Sequence, residues 1–223
     1  MELREQLRAI PVFPSSLPVF DVKDSPDDPI LLFRAWLEEA LAAGQPAPHV
    51  MTLATADESG RVSARNLILK DIDERGWQFA THSTSPKAQD FARNPYAALA
   101  FFWPTVGRQI RVSGPVAELS QEAAAADFLA RPADSRAATL VGRQSEVLAD
   151  RDDVVRAIDT VHERLERDPS IVDQNWALYA VEATRVEFWQ AAHDRVHTRL
   201  RYFRPASGIG HNTDRWSREL LWP

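Results

Sequence analysis

Between residues 49 and 119 the chain is cut into short apolar runs by turn residues, and this spacing limits the possible folds more than any other feature. HVMTLATA (49–56), a turn at Asp57-Glu58-Ser59-Gly60, RVSARNLILK (61–70), a second turn over 71–76 and WQFATH (77–82) read as successive strands. YAALAFFW (96–103) and RQIRVSGPVAEL (108–119) continue the pattern across a connection containing Pro104 and Gly107. Three more strand-like runs fall near 177–189, 198–204 and 215–221. Connections this short join antiparallel neighbours, because a parallel pair needs a crossover of about a dozen residues or more. Helices interrupt the pattern. One starts at Asp28-Pro29 with Ile30, Phe33, Leu37 and Leu41 as its apolar stripe and Gly44 as its stop. A short one opens at Ser85-Pro86 and runs through Ala92, ended by Asn94-Pro95. An alanine-rich helix starts at Ser120, and another covers about 151–167. The expected fold is mainly β with peripheral helices: an antiparallel barrel, one domain over 28–223. Residues 1–27, interrupted by Pro11, Pro14, Pro18 and Pro26, read as an arm with no core role, mobile or laid over a partner subunit.

Composition removes several function classes. With no cysteine among 223 residues there is no disulfide framework, no thiolate nucleophile and no Cys-ligated metal. A formal charge of −6 disfavours general nucleic-acid binding, which rewards a surplus of Lys and Arg. No apolar run approaches the roughly 20 residues of a membrane-spanning helix, and the start MELREQLRAIPVF lacks the order of a signal peptide. The expectation is a cytoplasmic protein with no membrane, nucleic-acid or metal partner. Neither G-x-G-x-x-G nor G-x-x-x-x-G-K-[ST] occurs, so any phosphate here must be held by side chains.

Several polar clusters sit where strands meet turns. Arg65 and Lys70 bracket one strand, Ser83, Thr84, Ser85 and Lys87 precede or open a helix, and Arg143-Gln144-Ser145 follows a loop. Hydroxyls at a helix start beside Lys and Arg suit an anion. The alternative is plain: solvated charges on a strand face and an ordinary helix cap. In 186–202, Arg195, His197 and Arg199 share parity, so an extended backbone would turn all three to one face, able to hold an electron-rich anion. A metal on His193 and His197 is the competing idea, but an i,i+4 pair converges on a helix rather than a strand. Trp189 is the tryptophan best placed to lie beside a ring, the others serving as core.

In this order the clusters resemble the pyridoxamine 5'-phosphate oxidase family, over about 28–223. The matching words are RNLILK (65–70), ATHSTSPK (80–87), GRQIRVSG (107–114), ARPADS (130–135), RQS (143–145), and EFWQ with R-x-H-x-R (187–199). The resemblance implies a split β-barrel that works as a homodimer with FMN at the subunit interface. It implies FMN contacts at Arg65, Asn66, Leu67, Ile68, Lys70, Ala80, Thr81, Ser85, Lys87, Gln109, Gln144, Ser145, Trp189 and Arg199. It places Lys70, Arg131 and Ser135 at a substrate phosphate, and Arg195 and His197 at the reacting ring. The chemistry implied is hydride transfer from a small heterocyclic substrate to flavin N5 and then to O2, giving hydrogen peroxide, with the difficult step carried by the cofactor.

The chain departs from the vitamin-making members of that family at particular positions. Asp127 stands where they have a tyrosine at the phosphate, and two unit charges ~4 Å apart repel by about 4 kcal/mol at an effective dielectric of 20. Ala137-Ala138-Thr139 and Trp176-Ala177-Leu178 replace two glycine- and tryptophan-containing words, and Pro86 replaces an arginine. THSTSPK, RQSEVLAD and RLRY look instead like the oxidases of phenazine biosynthesis, which oxidise reduced tricyclic carboxylates, whereas Lys70 points back to the vitamin enzymes. The preferred expectation is a phenazine-type oxidase. Pyridoxamine or pyridoxine 5'-phosphate oxidase is the alternative, and a split barrel that only binds flavin is the third reading.

Overall fold

The structure, a computed structural model, describes residues 2–204 and 215–223. The stretch of the expected domain between 205 and 214 lies outside the described residues. Among the described residues six α-helices, α1 (Leu3–Ala9), α2 (Pro29–Ala42), α3 (Pro86–Arg93), α4 (Gln121–Leu129), α5 (Ala133–Leu140) and α6 (Arg151–Arg167), surround ten strands. The strands are β1 (Val50–Ala56), β2 (Val62–Ile68), β3 (Asp71–Asp73), β4 (Gly76–His82), β5 (Tyr96–Trp103), β6 (Arg108–Glu118), β7 (Trp176–Val181), β8 (Arg185–Gln190), β9 (Thr198–Phe203) and β10 (Ser217–Leu220).

Every strand pairing is antiparallel. One sheet runs β10-β9-β8-β6-β5-β1-β2, and β3-β4-β7 joins it through β6. β6 belongs to both parts. Its first residues pair with β5 and β8, and Val116–Glu118 then pair with β7. The other side closes where Lys70, just past β2, donates its N–H to the Gln78 carbonyl of β4 at 2.8 Å. The result is a split antiparallel β-barrel, β5-β1-β2-β4-β7-β6, extended on one side by β8-β9-β10.

Two glycines permit the crossings. A Cβ on Gly114 would lie 1.9 Å from the Glu182 carbonyl oxygen, and one on Gly76, whose φ is +120°, would lie 2.1 Å from that of Val181. At both points the backbone at the end of β7, Val181 for Gly76 and the next residue Glu182 for Gly114, occupies the space of a side chain.

The core fills the barrel and the side facing α2, with Phe33, Trp36, Leu53, Phe79, Leu99, Phe101, Ile110, Phe188 and Leu200 all buried. Helix α2 starts as expected: Asp28 Oδ1 accepts the Ile30 N–H at 2.8 Å, Pro29 occupies the first turn, and Gly44 follows the end at φ +71°. Its buried face is rotated from the expected stripe. Phe33 is in the core and Ile30 and Leu37 pack at its edge, but Leu41 is exposed, while Leu32, Trp36 and Ala40 are buried. The indole at 36 decides the rotation by seating its ring against Phe20 and Phe188.

Three boundaries also differ. The run 177–189 is two strands, β7 and β8, separated where the chain leaves Gly114. The alanine-rich helix starts after Ser120 as expected and ends at Leu129, and a further helix not expected from the sequence, α5, begins just past Pro132. The turn at 71–76 begins with the short strand β3.

The arm is not wholly outside the core. Helix α1 is exposed throughout, as expected, but Phe20 and Val22 pack against the core. Tyr202 Oη donates to the Pro26 carbonyl at 2.7 Å, and Arg218 donates to that of Ser25. Phe13 lies on Trp189, with ring centroids 5.9 Å apart. Short polar anchors and single aromatics hold the segment, and neither leaves a periodic trace in the sequence.

Gly114→Ala is expected to destabilise the fold by about 3 kcal/mol or more, since its Cβ meets main chain that cannot turn aside. Thermal unfolding of the variant beside an alanine at Gly60, where nothing lies within 4 Å of the added Cβ and only the backbone φ of +81° opposes it, checks this: the second carries left-handed backbone strain alone, about 1–2 kcal/mol, and the first should lower Tm more.

Candidate active site

Two cations, Lys87 and Arg65, come together where β2, β4 and α3 meet. Lys87 is only 5% exposed, yet its ammonium makes no ion pair among the described residues and donates to Thr81 Oγ1 at 3.0 Å. Thr81 Oγ1 lies 3.4 Å from the oxygen of the fully buried Ser85. Although Ser85 occupies the N-cap of α3, its hydroxyl caps nothing. Arg65, on β2, donates to Thr55 Oγ1 at 2.9 Å and to the Leu53 carbonyl, and Thr55 in turn donates to Asp90 Oδ2 at 2.6 Å. Burial pushes the Lys87 ammonium below its usual lysine range, and the Arg65 charge adds to that; burial likewise lowers Arg65. Two partly desolvated cations, two hydroxyls and a helix N-terminus form a cradle suited to an anion. Thr55 and Asp90 orient Arg65 from behind, a role no sequence word signals because the three lie on different elements.

Beside the cradle is a cavity of about 620 Å³. Leu67, Ala80, Thr81, Arg131, Ser135 and Gln144 line it, with apolar walls from Val141, Val147, Leu148, Val154 and Trp176. Lys70 and Asp127 do not line it. They pair with each other, Nζ to Oδ1 at 3.0 Å, and Trp176 Nε1 donates to Asp127 Oδ2 at 2.9 Å. The Arg131 guanidinium carbon lies over the Trp176 ring, 4.1 Å from its centroid, and Arg131 donates to Thr139 Oγ1 at 2.7 Å. Ser145, at φ +69°, sits exposed in the loop just past Gln144.

A second group occupies the outer face of the large sheet. Phe102, Gln109, Trp189 and Arg199 stand in register across β5, β6, β8 and β9, so their side chains share one face. Phe102 is 52% exposed, whereas the opposite face of the same strands carries the core. On β2, Asn66 and Ile68 face outward as this row does, while Arg65 and Leu67 alternate to the other side, Leu67 packing on the core. Asn66 Oδ1 accepts from Thr52 Oγ1 at 2.9 Å. Glu187 holds Arg199 in place through Oε1 at 2.9 Å. His197 packs on Trp189 at 4.8 Å, and its Nδ1 accepts the Ala192 N–H at 3.0 Å.

The parity expected of Arg195, His197 and Arg199 fails at its first member. Arg195 has φ +68° and is exposed in a turn before β9, so it does not share a strand face with the other two. His197 and Arg199 line a separate cavity of about 770 Å³, beside Phe20, Arg218 and Trp222. A single chain therefore keeps the cradle with its cavity apart from the Trp189, His197 and Arg199 group. No group of three or more His, Asp or Glu side chains that could hold a metal is found among the described residues, and none of their helices is long and apolar enough to cross a membrane.

A profile described as pyridoxamine 5'-phosphate oxidase matches residues 37–165, and one described as the pyridoxine 5'-phosphate oxidase C-terminal dimerisation region matches 176–223. The chain belongs to the pyridoxamine 5'-phosphate oxidase family. Two relatives named pyridoxine/pyridoxamine 5'-phosphate oxidase are each 39% identical to it. That of Pseudomonas savastanoi pv. phaseolicola aligns over 89% of this chain and 90% of its own, and that of Trichormus variabilis over 78% and 82%. The crystal structure of PhzG from Burkholderia lata 383 in complex with tetrahydrophenazine-1-carboxylic acid superposes with a TM-score of 0.83 and 29% identity, covering 94% of this chain and all of that one. A pyridoxamine 5'-phosphate oxidase-related, FMN-binding protein from Nostoc punctiforme shares the fold, with a TM-score of 0.66 at 20% identity.

In this family the cofactor is FMN and the protein an FMN-dependent oxidoreductase. The cradle fits the group: a buried ammonium without a counter-ion, beside Arg65 and two hydroxyls, suits the FMN phosphate.

Lys87→Met is expected to weaken FMN binding by about 2 kcal/mol, roughly thirtyfold, for the loss of one charge-assisted hydrogen bond. The pH dependence follows from the lowered Lys87 pKa. As pH rises through that value the folded chain loses a proton the unfolded chain still holds, so the FMN-free protein gains stability while FMN affinity falls. Fluorescence titration of FMN between pH 7 and 10 should show affinity dropping before free lysine would titrate, with the drop absent from Lys87→Met.

Proposed function

We propose that this protein is a homodimeric FMN-dependent oxidase of a reduced heterocyclic carboxylate, of the kind oxidised in phenazine biosynthesis, with the electrons passing to O2 as hydrogen peroxide. The observation that carries the substrate reading is the Lys70–Asp127 ion pair. The lysine that would meet a substrate phosphate is already neutralised, and Asp127's second oxygen is held by Trp176. The likeness to PhzG, whose crystal structure holds a tetrahydrophenazine carboxylic acid, supports the same reading.

FMN held here would supply the hydride acceptor and the route by which the electron pair reaches O2; the chain's own residues bind it, orient the substrate and exclude water. Arg65, Thr81, Ser85 and Lys87 take the FMN phosphate, with Asn66, Ile68, Ala80, Gln109, Gln144 and Ser145 along the remainder, and Trp189 and Arg199 near the ring. Because these groups lie on separate parts of one chain, a second subunit completes the site, in keeping with the match of 176–223 to a dimerisation region. Arg195 fixes the substrate's carboxylate. His197 accepts a backbone N–H at Nδ1, so the neutral ring carries its proton on Nε2 and donates from there to the substrate. No nucleophile is used.

The second reading, oxidation of pyridoxamine or pyridoxine 5'-phosphate, draws on the retained Lys70, Arg131 and Ser135 and on the 39%-identical relatives of that name. Anaerobic mixing of the yellow holoenzyme with each substrate separates the two. Bleaching by a reduced phenazine carboxylate and not by pyridoxamine 5'-phosphate is expected; the reverse result transfers the assignment to the second reading. Arg195→Ala should lower kcat/KM for the true substrate at least tenfold, from the loss of a charge-assisted contact of roughly 1.5–3 kcal/mol. Steady-state oxygen uptake measures it, and an unchanged kcat/KM removes Arg195 from the site.

A further inference from the structure

Charge around the 620 Å³ cavity is cancelled residue by residue. Its charged lining consists of Arg131, Arg143, Glu146 and Asp153, with His82 beside them. Arg143 pairs with Glu146 at 2.7 Å and Asp153 with Arg156 at 2.6 Å. Behind the Trp176 wall, Lys70 pairs with Asp127 at 3.0 Å. Arg131 is flanked by two carboxylates, Asp127 and Asp173; burial lowers its proton affinity and both carboxylates oppose that.

Asp173 is the less obvious member. It is 9% exposed, its Oδ1 accepts the Asn175 N–H at 2.8 Å, and its Oδ2 lies 3.5 Å from His82 Nε2, an electrostatic contact rather than a hydrogen bond. His82 Nδ1 meets Thr84 Oγ1 at 2.6 Å. Two cations, Lys70 and Arg131, thus face two fixed carboxylates, Asp127 and Asp173, and the cluster has no net charge while His82 is neutral. A phosphate monoester carries about −1.5 to −2 charges at neutral pH. It would have to displace Asp127 from Lys70 or enter without a surplus cation. Trp176 resists the first course by holding Asp127 Oδ2 and carrying the Arg131 guanidinium on its ring.

We propose that Asp127 and Asp173 are specificity-determining residues: by cancelling Lys70 and Arg131 they make this cavity refuse a phosphate dianion and admit an apolar ring bearing at most one negative charge. The inference deepens the functional reading above and rests on it for the location of the substrate.

The test is a ratio of binding constants on the FMN-loaded dimer, so it needs no turnover. Pyridoxal 5'-phosphate and pyridoxal share a ring and differ in the phosphate, and their dissociation constants are read from the perturbation of the flavin spectrum. In the wild-type protein the phosphate is expected to improve binding by less than threefold. Asp127→Asn keeps an acceptor for Trp176 but frees Lys70, and should raise that preference about tenfold, the size expected of removing one unit charge close to a dianion in a partly exposed site. Asp173→Asn should raise it in the same direction, and Asp127→Glu, which keeps the charge, should stay at the wild-type ratio. A wild-type preference above tenfold, or an Asp127→Asn ratio no higher than that of wild type, overturns the proposal. The wild-type ratio is decisive even where a variant fails to fold. If a reduced phenazine carboxylate fails to bleach the flavin while the ratios behave as stated, the reaction assigned above falls and the charge filter stands.

Discussion

Strand β6 is the constraint on which the rest of the molecule depends. It serves two sheets, and it can do so only because Gly114 lets the chain around Glu182 pass where a side chain would stand. Its first half fixes the row Phe102, Gln109, Trp189 and Arg199 on the outer face. Its second half places β7, and through β7 the strand β4 that carries Ala80 and Thr81. Both residue groups proposed to hold the flavin therefore take their positions from one strand. A change at the crossing would move both.

Burial of charge explains why similar residues serve different ends. Lys87 and Lys70 are both lysines near the cavity, but Lys87 is buried without a counter-charge and Lys70 is half-exposed against Asp127. An unpaired buried cation is costly, so such a site is poised for an anionic ligand. A paired cation is not. The protein thus keeps an uncancelled cation cluster suited to an anion and a cancelled one beside it. Arg108 shows a third solution: fully buried, it pairs with Glu39 through Nη2 and donates to Gln190 through Nε, leaves Nη1 without a hydrogen-bond partner among the described residues, and lies over the Trp36 ring.

Much of the fold was legible because hairpins and helix caps are local. The strands from Val50 to Glu118, the Asp28-Pro29 start of α2 and the whole of α6 follow from turn residues, caps and periodicity within a dozen positions. What failed involved partners far along the chain. The face of α2 turned toward Phe20 and Phe188, the division of 177–189 was forced by the crossing at Gly114, and Phe20 and Val22 of the arm joined the core through contacts no local pattern announces. At the site, the words holding Arg65, Thr81, Ser85, Lys87 and Trp189 pointed to positions the fold brings into clusters. The parity that joined Arg195 to His197 and Arg199 failed because a left-handed backbone at 195 ends the alternation.

From the sequence alone came the antiparallel class, the absence of thiol chemistry, the family resemblance and the oddity of a carboxylate at 127, since each depends on residue identity or near-neighbour spacing. Only the tertiary structure decided what Asp127 does. Its partners Lys70 and Trp176 are 57 and 49 residues away, and Asp173, Thr55 and Asp90 are joined to the site by side chains from separate elements. Charge cancellation acts through space, and proximity in space is what a folded chain adds to its sequence.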